Sequence, residues 1–301
     1  MMDIPAQYIL LLLAPVFVFF LAWEFIYLRK RTTQFPSAKF TWSDTISNGV
    51  LALLHEASDA ICASLFIMGI YAVLYDVRLF EIPTTAASLI LLFFLQDFFY
   101  YWFHRGSHRI RWMWASHVVH HSSERLNLST AFRQSFTYPI SGMWVFWVPI
   151  VFIGFEPEQV VTMVLLSLAY QFFVHTQVVP KLGPLEWIFN TPSHHRVHHA
   201  RNAQYIDQNY GGVLIIWDRL FGTFVEEDKN NPCEFGIIRQ VHSHNPIYLT
   251  LHEWKDMFAD ALTGQKSLWT RTKHFWAAPE WQPEEAASKV DGDRKIPLTE
   301  K

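Results

Sequence analysis

From Tyr8 to Leu28 the chain is almost wholly apolar. About 21 residues at 1.5 Å each cross a hydrocarbon core of roughly 30 Å, so this run predicts a first membrane span. A second apolar run extends from Val50 to Tyr75, and a short loop then ends at Pro83. A third, Ala86 to Phe103, leads directly into His104. Two shorter runs, Tyr138 to Phe155 and Val160 to Val174, are joined by Glu156-Pro157-Glu158. Their lengths lie near the lower limit for crossing, so they read as a fourth and fifth span or as a re-entrant hairpin. Beyond Thr176 the pattern is mixed. Gly183-Pro184 and Thr191-Pro192 mark turns, and Leu185 to Phe189 reads as lying along the membrane surface. Val213 to Phe224 is interrupted by Asp218 and Arg219 and is too short to span, whereas Leu249 to Leu262 has helical periodicity. Ser267 to Trp281 mixes Arg271 and Lys273 with Trp269, Phe275, Trp276 and Trp281, as interfacial segments do.

The expectation is an all-α integral membrane protein with about five transmembrane helices and a helical cytoplasmic cap. It divides into an N-terminal membrane region (1–85), a catalytic region (86–225), a cytoplasmic or interfacial helical region (226–281) and a polar tail (282–301) predicted to be disordered.

Composition agrees. Charged residues make up 17% of the chain, against about a quarter in soluble domains, and aromatics another 17%. A net charge of −3 gives no dominant basic surface and argues against nucleic acid as a partner. Cys62 and Cys233 read as two free thiols. Met1 to Gln7 has no basic start and no small-residue cleavage site follows, so the first run reads as an uncleaved span. Lys and Arg set the orientation. Arg29, Lys30, Arg31 and Lys39 follow the first span, and five arginines lie between His104 and Thr137, while the loop after the second span holds only Arg78. By the positive-inside rule the N-terminus is outside and all the histidine-rich stretches are cytoplasmic. The membrane is then a bacterial inner membrane, or the endoplasmic reticulum in a eukaryote.

The candidate chemistry is histidine. His104 and His108 sit one helical turn apart, and His117/His120/His121 and His195/His198/His199 each place three imidazoles on one helical stripe. Neutral imidazole is the commonest nitrogen ligand for iron, zinc, copper and nickel. A tetrahedral zinc ion is filled by four ligands, so eight such rings predict more than one metal ion. The ring of His194 projects about 100° away from that of His195, so it is assigned an ancillary place. Ligating rings need an acceptor at their second nitrogen. Asp97 shares the helical face of His104 and His108, and a carboxylate inside an apolar span is normally paired, so it is the main candidate for that acceptor. Glu124, Asn127, Asn209 and Asp218 are further candidates, each equally well read as an ordinary loop or cap hydrogen-bonder. His55, Glu56 and Asp59 in the second run read as interfacial. Arg133, Arg196 and Arg201 read either as solvated cations or as receivers of a phosphate headgroup or anionic reductant.

The boxes and their flanks resemble a known family. HxxxH, HxxHH and a distal HxxHH, in that order, resemble the fatty acid hydroxylase and sterol desaturase superfamily of membrane-bound di-iron oxygenases. The flanks Tyr100–Arg105, His120–Glu124, Phe132–Ser135, Leu182–Glu186, Asn190–His199, Asn209–Gly212 and Trp217–Arg219 resemble its alkylglycerol monooxygenase branch and the bacterial relatives of that branch. The likeness is strong over roughly residues 85 to 225. It implies two iron ions, held by the eight box histidines with His175, and hydroxylation of a lipid C–H bond by O2. Iron suits this chemistry because it changes oxidation state, which zinc does not. The resemblance further implies an ether lipid as substrate and tetrahydrobiopterin or another external electron donor. The chain shows no reductase, haem or nucleotide motif, so a separate reductase or reduced cofactor is expected. The alternatives are a lipid or sterol desaturase on the same centre and, less favoured, a metal transporter or a zinc-dependent lipid hydrolase. A transporter needs ligands near the bilayer midplane, and these lie past the span ends.

Overall fold

The computed structural model describes residues 9–264 and 266–283. From residue 284 onward the tail predicted to be disordered lies outside the described residues. Among the described residues the fold is all-helical, with only two isolated bridges, Phe189 to Leu214 and Ala200 to Phe235.

Three helices are long and apolar enough to cross a membrane. The first is α1 (Ile9–Arg29). The second is a continuous 35-residue helix, α2 (Trp42–Cys62) passing through a π-turn at Ala63–Ile67 into α3 (Met68–Asp76). The third is α4 (Ala86–Arg109), whose N-terminus is closed by a Thr85–Ser88 capping box. Their apolar windows are 11%, 6% and 33% buried, so most of their surface is left for lipid. The chain is an integral membrane protein.

The fourth and fifth apolar runs do not form long helices. Pro139, Gly142 (φ +84°) and Pro149 break the fourth into α6 (Tyr138–Ser141), a 3-10 turn (Met143–Trp147) and α7 (Val148–Ile153). The fifth is α8 (Pro157–Phe172), whose 16 residues span only about 24 Å. The tip of this hairpin nevertheless reaches the loop after α3. Leu79 and Phe80 N–H donate to the carbonyls of Phe152 and Ile153 at 2.9 and 3.0 Å, and Gln159 Nε2 donates to Thr84 Oγ1 at 2.6 Å. A Cβ on Gly154 (φ +134°) would lie 2.1 Å from the Phe80 carbonyl oxygen, so the close approach requires glycine.

The remaining helices build the cap at the His104 end of α4. These are α5 (Arg111–His121), α9 (Pro192–His198), α10 (Ile216–Phe221), α11 (Pro246–Leu262) and α12 (Leu268–Trp276). Helix α11 lies against α5, and Leu268 and Trp269 of α12 stay exposed. Of the arginines counted above as basic cytoplasmic charge, two are fully buried. Arg111 pairs with Glu253 and Asp260 at 2.8 Å each. Arg133 donates to Asn48 Oδ1, Ser122 Oγ and the Val119 carbonyl. Buried charges with this many partners organise the interior and are not free to meet a headgroup. Arg196 is likewise engaged, by Glu227 and the carbonyls of Thr176 and Val179, while Arg201 lies near the surface beside Glu234.

Candidate metal centre

Four segments bring nine histidines together: the end of α4, the length of α5, the turn that follows α8 and carries His175, and α9 with the His199 that follows it. His104, His108, His117, His121 and His198 form one group. His120, His175, His195 and His199 form the other. In each, one ring nitrogen from every residue lies within 4.8 Å of the rest, close to the ~4 Å that separates ligands bound about 2.1 Å from one ion. All nine side chains are buried. Helix α5 divides its rings between the groups, giving His117 and His121 to one and His120 to the other, and α9 does the same with His198 and the pair His195/His199.

The outer nitrogens fix the tautomers. His104 Nδ1 lies 2.8 Å from the Tyr210 carbonyl, His175 Nδ1 2.6 Å from that of Gln171, and His198 Nδ1 3.0 Å from that of Gln208. A carbonyl only accepts, so these three Nδ1 atoms carry the proton and their Nε2 atoms are bare. The bare atoms point at other nitrogens. His175 Nε2 lies 2.9 Å from His195 Nε2 and 3.1 Å from His120 Nε2, and His104 Nε2 lies 3.1 Å from His117 Nε2. One lone pair cannot serve two rings. The Nε2 atoms of His108 and His198 are buried with no hydrogen-bond partner at all. Lone pairs gathered in a dry site are satisfied by a cation, and this donor set fits metal. Burial first, then the neighbouring rings, holds His117, His120, His121, His195, His198 and His199 well below the ordinary histidine range, which keeps them in the neutral form that binds metal.

The residues expected to support the rings mostly act one step removed. Among the described residues Asp97 has no hydrogen bond to a histidine ring. It accepts from Val213 N, Leu214 N and Trp217 Nε1 at 2.8, 3.1 and 2.9 Å, pinning the loop that presents the Tyr210 carbonyl to His104. A span carboxylate was expected to find the nearest imidazole N–H, but His104 turns that N–H to backbone, and the loop's own amides claim Asp97. Asp218 secures the same loop from the other side, accepting from Tyr210 N, Gly211 N and Thr223 Oγ1 at 2.7 Å each. Burial pushes its carboxyl up to about 6 despite those bonds. Asn209, at φ +55°, ties the His194 carbonyl to Val225. Asn127 caps the 3-10 turn Leu128–Phe132, and Glu124 is exposed. His194 lies outside both groups, with Nε2 4.0 Å from Glu186.

Several supports were not anticipated from sequence. Tyr138 Oη is 2.6 Å from His117 Nδ1, and its ring stacks edge-on with His55. Asp207, at φ +61°, sits 3.3 Å from His108 Nδ1. Glu24 in α1 accepts from Leu128 N and from Thr176 Oγ1, next to His175. The histidine ladder was visible as a spacing. These partners come from other parts of the chain, and only the positive φ of Asp207 carries a local trace, in a preference that aspartate shares with asparagine.

Residues 89–223, which hold all nine rings, match the family model described as fatty acid hydroxylase. This segment is thus similar to the fatty acid hydroxylases. Over 242 residues it is 43% identical to the alkylglycerol monooxygenase of Homo sapiens, covering 78% of this chain and 48% of that protein. The alkylglycerol monooxygenase of Danio rerio is 49% identical over 60% of this chain and 40% of its own length. A bacterial relative, the ornithine lipid hydroxylase OlsE of Rhizobium tropici, is 30% identical over 46% of this chain and 42% of its own. The chain therefore spans about half, or less, of the length of these curated relatives. No solved structure matches it. These relatives are named as monooxygenases or as a hydroxylase, and the residues matched by the family model hold both histidine groups.

Proposed function

We propose that this protein is a membrane-bound di-iron oxygenase that hydroxylates a C–H bond of a lipid, with nine histidines as ligands: His104, His108, His117, His121 and His198 for one ion, His120, His175, His195 and His199 for the other. The single observation that carries this reading is the pair of buried, all-nitrogen groups with bare Nε2 atoms turned inward. Iron bound there supplies the electrons' path to O2 and the oxidising power for an unactivated C–H bond. The balance is RH + O2 + 2e⁻ + 2H⁺ → ROH + H2O, so two electrons enter from outside, from tetrahydrobiopterin or from a separate reductase. The chain's own contribution is to hold the rings neutral and oriented, through the carbonyls of Tyr210, Gln171 and Gln208, and to keep water away by burying all nine. A lipid chain reaches the centre from the bilayer, because the His104 end of α4 is continuous with its lipid-facing span. The names of the relatives favour an ether lipid or an aminoacyl lipid as substrate.

The orientation proposed is N-terminus outside and all rings on the cytoplasmic side. The test of function uses purified protein with iron, a reductant, ¹⁸O2 and either an ether lipid or an acyl lipid. The expected product carries one labelled oxygen, in the lipid or in the aldehyde released from a hydroxylated ether. An unlabelled product two mass units lighter than substrate would identify a desaturase, and one zinc with no iron in active protein would end the oxygenase reading.

A further inference from the structure

The two histidine groups differ in one respect beyond ligand number. Among the described residues, a single carboxylate has an oxygen within 4 Å of a ring nitrogen of the nine: Asp207, whose Oδ1 is 3.3 Å from His108 Nδ1. The other outer nitrogens with partners meet neutral groups, namely the carbonyls of Tyr210, Gln171, Gln208 and Arg133, the hydroxyl of Tyr138 and the side-chain amide of Gln134. The second oxygen of Asp207 lies 3.3 Å from Arg109 Nε, and its side chain is 16% exposed, at the edge of the cluster. The backbone there is left-handed (φ +61°), a conformation an aspartate tolerates and a β-branched or bulky residue does not. His108 Nε2 is buried and has no hydrogen-bond partner, so the ring is oriented at one end by Asp207 and offers the other end to the five-histidine group.

An anionic acceptor at Nδ1 makes an imidazole a stronger donor to metal at Nε2 than a neutral carbonyl does, and it opposes the added positive charge of the ion. We infer that Asp207 is a positioning residue that makes the two metal positions inequivalent, with the five-histidine group the tighter one and the four-histidine group the weaker. This rests on the metal-binding part of the proposed function and not on the reaction. Arg109 is the counterweight, since it shares the same carboxylate.

The test is a cobalt(II) titration of the metal-stripped full chain in detergent, following the visible absorption of bound cobalt against a competing chelator. Wild type should fill in two steps. Asp207→Asn keeps the left-handed backbone and the hydrogen-bond acceptor but removes the charge. It should weaken the tighter step by about 10- to 100-fold, shift the absorption bands of that step, and leave the second step in place. Arg109→Gln leaves Asp207 in position and releases its second oxygen, so it should tighten the same step by a few-fold. It also stands in for the first variant if that one does not fold. His175→Ala should remove the weaker step only. Two steps unchanged in both Asp207→Asn and Arg109→Gln, or both steps weakened equally, would overturn the inference. A protein that binds two ions with the expected asymmetry but fails to hydroxylate lipid would overturn the reaction and leave this inference standing.

Discussion

Helices α1 and α4 both qualify as membrane spans and do different work. Each is long enough to cross the bilayer, with mean hydropathy 2.5 and 1.4 over the apolar window. Each also buries one carboxylate, Glu24 or Asp97, and uses it to hold backbone N–H groups of a cap loop. The buried residues of α1 are Phe17, Glu24 and Leu28; those of α4 run from Leu92 through Asp97 and Tyr100 to His104 and His108. Helix α1 is an anchor with one polar tether. Helix α4 is half membrane span and half wall of the histidine cluster, which is why its hydropathy is lower. The difference teaches that a polar residue in a span reports function when further polar residues follow it on the same face.

The largest break in this comparison comes from the ligand end. His104→Ala should abolish turnover and lower bound iron, measured together on purified protein, whereas His242→Ala on the exposed cap surface should change neither. No substitution in α1 should act this way.

Acid should strike the same region next. Burial holds the rings of α5 and α9 below the ordinary histidine range, so the unfolded chain binds more protons than the folded one near and below pH 6.5. The stability these neutral rings contribute is present above that pH and is lost as pH falls through it, by up to about 1.4 kcal/mol per ring per pH unit. Thermal unfolding of the metal-free protein should therefore drop steeply between pH 7 and pH 5. A flat profile would contradict the buried neutral rings.

Asp97→Ala leaves Val213 N–H, Leu214 N–H and the Trp217 indole without an acceptor, at roughly 1–3 kcal/mol for each buried group. It should lower the unfolding midpoint and weaken metal binding together, since the loop it holds carries the Tyr210 carbonyl. Gly212→Ala attacks the same contact more gently. Its Cβ would lie 2.7 Å from Tyr100 Cδ1, and the expected cost is about 1–3 kcal/mol with reduced activity. Glu24→Gln should do least, about 1 kcal/mol, because a carbonyl oxygen remains to accept from Leu128 N–H or Thr176. If Glu24→Gln proved as damaging as Asp97→Ala, the distinction between anchor and wall would fail.

Much of this was legible before any coordinates. The i, i+3, i+4 histidine spacing placed the rings, because helical geometry is local and α5 and α9 are helices. Asp97 was noticed since it stands on the face of His104, but its partners were not, because they lie 116 and more residues along the chain. Glu24 passed unnoticed for the opposite reason: it sits close to Arg29-Lys30-Arg31, where a carboxylate looks like part of the membrane interface. The hairpin of α7 and α8 was the hardest to read. Counting apolar residues fits two crossings or a re-entrant hairpin, and it does not show that Pro139, Gly142 and Pro149 divide the first of these runs or that the seating of its tip on Phe80 depends on Gly154.

The division of rings among four segments also has a consequence for the chain as a polymer. An ion held by His104 and His198 closes a loop of roughly 95 residues, and one held by His120 and His199 a loop of roughly 80. By loop-closure entropy such links are worth about 4–5 kcal/mol apiece in a free chain, and less here, where the bilayer already confines α4. In the proposed metal-loaded form each ion would thus be a removable cross-link, a clasp that does for this protein what a disulfide does for a secreted one, while its two cysteines stay unpaired.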